Sequence, residues 1–156
     1  MPDCWYQGYR KTLEKAIEEV LKTLPESQSL LSIPGIGPIY TAGILAEVGQ
    51  IERFENEAKL AKCAGLYWKR NQSGNYESER TSLTRTGNHY LRYNLVEAAN
   101  SVMRNEPVYR AYYLKKYNEV PKNQHKRALV LTARKLVRMV DVLVRNHQLY
   151  AAERSV

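Results

Sequence analysis

The 156-residue chain is 44% hydrophobic and 26% charged, the balance of a globular protein rather than a disordered one. Three features set exclusions: no apolar run approaches the ~20 residues that span a bilayer, Met1-Pro-Asp-Cys-Trp5 lacks the charge and apolar stretch of a secretion signal, and Cys4 and Cys63 alone make neither a disulfide framework nor a four-ligand zinc site. A cytoplasmic location without membrane contact is the expectation. The net charge of +8 is unevenly placed: residues 1–65 hold 7 Lys and Arg against 9 Asp and Glu, residues 66–156 hold 17 against 7, and nine of the twelve tyrosines fall in the second part. A basic surface with interleaved rings suits phosphate backbones and exposed bases. It also suits a solvated basic face over core tyrosines, so motifs must decide.

In chain order, Leu13, Ile17, Val20, Leu21 and Leu24 recur at helical spacing, predicting an amphipathic helix from about Tyr9 to Leu24 that needs a partner. Pro25-Glu-Ser-Gln-Ser reads as its break. A short helix follows through Leu30, Leu31 and Ile33 and stops at Pro34, because the residue before proline disfavours helix. Gly35-Ile-Gly-Pro reads as a tight hairpin, with Pro38 opening a helix that runs from Ile39 to Val48 and ends at Gly49 as a left-handed cap. Asn56 caps a helix through Leu60 and Cys63, closed by Gly65. Residues 66–86 lack helical periodicity and read as a loop or small β-hairpin. Gly87-Asn88 leads into a helix through Leu91, Leu95, Ala98, Ala99 and Val102; Pro107 opens another, through Tyr117. Beyond Pro121 a long helix runs to about Asn146, burying Leu129, Ala133, Leu136, Val140 and Leu143. The fold class expected is mainly α, a helix-hairpin-helix followed by a helical bundle, with a small irregular or β-hairpin insertion.

The stretch Leu30-Leu-Ser-Ile-Pro34-Gly35-Ile36-Gly37-Pro-Ile-Tyr-Thr-Ala-Gly43 carries a mechanism. Glycines there admit unusual backbone angles and let the chain approach a phosphate without an intervening Cβ. The next helix presents unpaired N–H groups and the positive end of its dipole. Ile36 would plug the space between the two helices, and Ala42 and Gly43 would let them cross closely. Such a clamp holds backbone without reading sequence. An ordinary glycine-rich turn is the competing reading.

Past the hairpin come Cys63-Ala-Gly-Leu-Tyr67-Trp68-Lys69-Arg70-Asn-Gln-Ser73-Gly74, Leu83-Thr-Arg85-Thr-Gly87-Asn88, Tyr90-Leu-Arg92-Tyr and Lys126-Arg127-Ala-Leu-Val-Leu-Thr-Ala-Arg134-Lys135-Leu136. This ordered succession resembles the C-terminal domain of insertion-sequence 110-type transposases, relatives of the Piv site-specific invertases, over residues 29–150. On that resemblance, residues 1–28 form an amphipathic helix and linker, 29–150 the transposase-like helical domain, and 151–156 a tail. The resemblance implies a two-part recombinase. An N-terminal RNase-H-like domain holds divalent metal (Mg) on four acidic residues, and the C-terminal domain carries the hairpin and a serine that attacks DNA. It also implies DNA, a guide RNA from the same element and further copies of the enzyme as partners. The family's Ser-Gly falls on Ser73-Gly74. Trp68 stands where the family often has proline, and Thr84-Arg85 replaces its Ser-Lys. The acidic domain is missing from this chain, so it implies no cofactor for the chain alone and no activity without that domain.

A serine hydroxyl is a weak nucleophile and needs a base or nearby cations; Lys69, Arg70 and Arg80 flank Ser73, with Ser78 and Ser82 as lesser candidates. Candidate DNA contacts are Pro34, Gly35, Ile36 and Gly37 in the hairpin, then Lys69, Arg70, Arg85, Arg92, Lys126, Arg127, Arg134 and Lys135. His89, His125 and His147 lack ligand-like spacing, so no metal site is expected. Tyr112, Tyr113 and Tyr117 sit at helical spacing and read as core, whereas Tyr67 and Trp68 are better placed to stack on bases. Two other functions fit the same residues: a non-catalytic helix-hairpin-helix nucleic-acid module, such as a remnant of an insertion element, and a protein–protein scaffold that reuses the hairpin.

Overall fold

Three of the six prolines open helices, since proline fixes φ near the helical value and lacks an N–H that would be unpaired in a first turn anyway. Pro25 begins α2 (Pro25–Leu31), Pro38 begins α3 (Pro38–Val48) and Pro107 begins α6 (Pro107–Asn118). Asparagines start two more. Asn56 Oδ1 accepts from the N–H groups of Ala58 and Lys59 at 3.1 Å ahead of α4 (Glu57–Cys63), and Asn88 Oδ1 accepts from those of Tyr90 and Leu91 at 3.0 Å ahead of α5 (His89–Asn105). The remaining helices are α1 (Asp3–Lys22) and α7 (Gln124–Arg145). In this computed structural model, residues 3–68, 72–73, 76–77, 83 and 86–152 are described.

The chain is mainly helical, as its periodicity predicts. The core forms where α7 packs against α5 and α6 and α5 packs against α3, with α4 laid on α7 and α2 on α3 and α7. All five residues of the α7 stripe, Leu129 to Leu143, are buried, together with Leu91, Leu95, Ala98, Ala99 and Val102 of α5. Fully burying the leucines and valines among them is worth roughly 1.5–3 kcal/mol each, so these two helix faces contribute much of the core's stability. Within 66–86 the described strands are β1 (Gln72–Ser73) and β2 (Tyr76–Glu77). They pair antiparallel, Gln72 opposite Glu77 and Ser73 opposite Tyr76, and an isolated antiparallel bridge joins Trp68 to Leu83.

Four local expectations change. Pro25 starts a helix rather than only ending one: a two-residue joint, Thr23-Leu24, separates α1 from α2. Gly49 has φ +62° but ψ −125°, outside the left-handed helical region, and its N–H still donates to Leu45 C=O at 2.9 Å. A 3₁₀ turn at Ile51–Arg53, too short for periodicity to show, buries Ile51 against α7. Finally, α1 begins six residues earlier than its apolar pattern suggested and packs mainly through Leu21, while Trp5, Tyr6, Tyr9, Leu13 and Val20 stay exposed.

Candidate nucleic-acid interface

The Pro34–Gly37 turn is short because the N–H of Ile36 donates back to Ile33 C=O at 3.0 Å, and α3 then starts with Thr41 N–H donating to Gly37 C=O at 3.0 Å. Ile36 is buried, as a plug between α2 and α3 would be. The two glycines differ. Gly35 has φ +96°, and a Cβ there would lie 2.8–2.9 Å from the Ser101 carbonyl and the Val102 nitrogen. Its open side is therefore filled by the backbone of α5. Gly37 has ordinary extended angles (φ −93°, ψ −179°), and nothing lies within 4 Å of where its Cβ would be. It is the N-cap of α3 without a side-chain cap, so the first N–H groups of α3 are left to solvent or a ligand. Gly43 gives its space to the Asn94 side chain of α5, not to α2 as the sequence reading had it.

The Gly87-Asn88 pair anchors the far end of the irregular segment. Gly87 has φ +133°, and a Cβ on it would meet Cys63 C=O at 2.6 Å and Gly65 N at 2.8 Å. Asn88 donates its N–H to Cys63 C=O at 2.7 Å and, through Nδ2, donates to Glu47 Oε2 of α3 while its Oδ1 caps α5. One asparagine thus fastens α3, α4 and α5 at the point where residues 66–86 rejoin the body. Ser73 lies in β1. Lys69, Arg70, Arg80, Arg85, Ser78 and Ser82 fall outside the described residues.

The other candidate cations are mostly engaged with the protein itself. Arg92 reaches the Ala64 carbonyl at the end of α4, at 3.5 Å. Arg134 pairs with Glu57, whose other oxygen lies 3.5 Å from Arg138. Lys135 places its ammonium 5.0 Å from the Tyr109 ring centroid and 4.7 Å from that of Tyr112. Arg127 donates from both terminal nitrogens to Glu119 Oε2 at 3.1 Å, and to Lys116 C=O at 3.2 Å. The hydrogen bond from Lys116, and then Arg127, hold the Glu119 carboxyl below its ordinary range. Lys126 is exposed and has no ion pair among the described residues.

Of the aromatics, Tyr109 is almost wholly buried, and burial pushes its phenol well above the usual tyrosine range. Tyr113 is in the core and its hydroxyl lies 2.7 Å from His125 Nδ1. Tyr67 carries the Lys62 ammonium 5.9 Å from its ring centroid. Trp68 instead lines a cleft of about 750 Å3 together with Leu83, Lys126, Arg127, Val130 and Leu131. Trp68 is a stacking candidate from sequence, whereas Val130 and Leu131 are not; the only signal for them is that both are apolar and off the buried stripe of α7.

Among the described residues no three of His, Cys, Asp and Glu converge as metal ligands, and no helix is long and apolar enough to cross a membrane. The acidic side chains of Glu57, Glu119 and Asp141 are each paired to arginine.

The family model described as Transposase IS116/IS110/IS902 family matches residues 27–114. The uncharacterized 44.8 kDa protein of insertion element IS116 from Streptomyces clavuligerus is 31% identical over 149 residues, covering 90% of this chain and 34% of its own length. The uncharacterized 43.6 kDa protein of insertion element IS110 from Streptomyces coelicolor is 30% identical over 141 residues, covering 90% and 34%. The transposase for insertion sequence element IS1111A from Coxiella burnetii is 31% identical over 91 residues, covering 58% and 25%. The chain spans about a third of the length of the first two of these relatives. The match runs through the turn, the 66–86 segment, α5 and most of α6, and on it the chain belongs to the transposase IS116/IS110/IS902 family.

Proposed function

We propose that this chain is the nucleic-acid-contacting C-terminal portion of a transposase, acting in DNA transposition with Ser73 as its nucleophile. The observation that carries the reading is how the serine-bearing segment is seated. Its ends are drawn together by the Trp68–Leu83 bridge and pinned by Asn88 to three helices. A reactive group on a loop needs a rigid support to hold it against a phosphate. The cations in its sequence, Lys69, Arg70, Arg80 and Arg85, suit the negative charge that builds on phosphorus.

On this reading the Ser73 hydroxyl attacks a backbone phosphorus. An Oγ–P ester forms as the P–O bond to one sugar breaks; the serine gives up its proton and the departing sugar oxygen gains one. One phosphodiester replaces another, so strand exchange can reverse the step without an energy source. The described residues bring no three metal-binding side chains together, so they do not fit a divalent ion. Magnesium and its acidic ligands are assigned to the RNase-H-like domain that the family resemblance implies, in the part of the relatives this chain does not span. A guide RNA and further copies of the enzyme belong to the same proposal.

The test has two stages. The isolated chain binds DNA with an affinity that falls linearly in log salt, at a slope of about −0.9 per phosphate neutralised, and forms no covalent adduct. Supplied with the acidic domain, it forms a protein–DNA adduct that Ser73→Ala abolishes without weakening binding. Affinity flat in salt removes the nucleic-acid reading; an adduct that survives Ser73→Ala moves the nucleophile, with Ser78 and Ser82 next. One observation favours a narrower role for the hairpin. With Gly35 filled by α5, only the Gly37 side of the turn is open to a phosphate, and the turn is in part plain scaffold.

A further inference from the structure

We infer that the cleft between Trp68 and the start of α7 receives an unstacked base of a single strand, with Lys126 on its phosphate. The inference rests on the nucleic-acid reading above and names the form of nucleic acid the site takes. Three features point to it. The cleft, at about 750 Å3, falls within the ~300–1,000 Å3 range of small-molecule sites, enough for a nucleotide. Its walls combine an indole with the aliphatic side chains of Leu83, Val130 and Leu131, surfaces on which any base can stack. Its rim is cationic, and the two cations are differently placed. Arg127 is held in one orientation by Glu119 and the Lys116 carbonyl, so its plane is set before a ligand arrives. Lys126 is exposed and has no ion pair among the described residues, so it meets a phosphate without first breaking one.

The neighbouring residue makes the assignment selective. Tyr67 has its ring taken up by Lys62, whereas Trp68 faces the cleft. A duplex keeps its bases stacked and offers the cleft only backbone, which Lys126 can meet but Trp68 cannot use. The shared chemistry, a base face plus a phosphate, belongs to single-stranded DNA and RNA alike.

Trp5 and Trp68 are the two tryptophans, and Trp5 is 84% exposed. The full chain carrying Trp5→Phe therefore reports on Trp68 alone. Titrated with oligothymidylate, oligouridylate and a duplex of equal length, its emission should be quenched by one or both single strands and not by the duplex; the stronger quencher tells DNA from RNA. In the chain that keeps Trp5, Trp68→Leu should weaken single-strand binding at least about fivefold, the low end of what base–aromatic stacking supplies. Trp68→Tyr should restore most of it, and duplex affinity should stay within twofold throughout. Should Trp68→Leu unfold, Lys126→Gln on the surface of α7 still tests the site: it should lower the single-strand salt slope by about 0.7. Equal quenching by duplex, or wild-type single-strand affinity in both Trp68→Leu and Lys126→Gln, overturns the inference while salt-dependent duplex binding leaves the broader reading standing. A chain that binds neither form overturns both.

Discussion

The Pro34–Gly37 turn and the basic face of α7 both hold what phosphate binding requires, and the fold has already committed them to different degrees. In the turn the division falls between two glycines: Gly35 is pressed against the backbone of α5 and Gly37 faces open space. On α7 it falls between cations. Arg127 and Arg134 are paired with carboxylates and Lys135 lies over two rings, while Lys126 has no ion pair among the described residues. A residue of the right type in the right motif is thus a scaffold part or a ligand contact according to what packs against it. Replacing one residue at a time separates the two.

The largest effect belongs to Gly35→Ala. A methyl at φ +96° is strained, and it would also meet the Ser101 carbonyl at 2.8 Å, against a helix backbone that cannot step aside. The two costs together should come to about 3 kcal/mol or more, read as a fall in the denaturant midpoint. A variant as stable as the parent would show that the turn is not seated on α5. Any loss of nucleic-acid binding in this variant reports misfolding first.

Glu57→Gln comes next and acts on the α7 side of the comparison. It removes the partner of Arg134, a largely buried cation, and of the exposed Arg138. Stability should fall by about 1–2 kcal/mol, more than an exposed pair contributes because one partner is left partly buried. At the same time two arginines become available to phosphate, so DNA affinity at low salt should rise and the salt slope steepen by up to about two. Loss of stability with an unchanged slope would place this part of α7 away from the nucleic acid.

How much of this could be read from sequence differs between the helices and the site. Prolines 38 and 107 and asparagines 56 and 88 act within one turn of themselves, so residue type and position nearly suffice to place four of the helix starts. The α7 stripe is equally legible because burial on one face repeats every three or four residues. What Gly35 touches is not legible, since its neighbour is 66 positions away on α5. The same holds for Gly87 against Cys63 and for Arg134 against Glu57. The Thr-Gly-Asn, Leu-Arg and Arg-Lys-Leu stretches carry the family resemblance, and Arg92 and Arg134 within them read as candidate phosphate contacts. In the structure Gly87, Asn88, Arg92, Arg134 and Leu136 are contacts that hold α3, α4, α5 and α7 together. The apolar face of α1 shows another case: periodicity calls for a partner, within the fold or in another chain, and within this chain mainly Leu21 is covered.

A smaller effect concerns Arg127. Its partner Glu119 has a carboxyl held below the ordinary range, by the hydrogen bond from Lys116 first and by Arg127 after it. A depressed folded-state pKa contributes stability that is fully present above the unfolded value and is lost as pH falls through the folded one. Acid unfolding followed between the ordinary carboxylate range and lower pH should therefore be shallower in Glu119→Gln than in the parent. Identical acid limbs would mean that the carboxylate does not hold Arg127 in solution, and the preset orientation of the cleft's rim would lose its support.

The smallest change sharpens the comparison most, because its two readouts are expected to move in opposite directions. Gly37 is the N-cap of α3, with extended angles and free space where a side chain would go, so Gly37→Ser introduces neither strain nor overlap. The serine hydroxyl can accept from the N–H of Tyr40, three residues on, as N-cap serines do, and serine is a better N-cap than glycine by a few tenths of a kcal/mol. Loss of glycine's freedom in the unfolded chain adds up to ~1 kcal/mol in the same direction. The melting temperature should thus stay level or rise slightly. A phosphate docked on this turn would use those same N–H groups, and it would now meet both an occupied donor and a side chain in its path. DNA affinity should fall several-fold, with the salt slope nearly unchanged because no charge has been removed. If stability rises and affinity does not move, the turn is scaffold on both of its glycines, and nucleic-acid contact has to be sought at the Trp68 cleft and the serine segment alone.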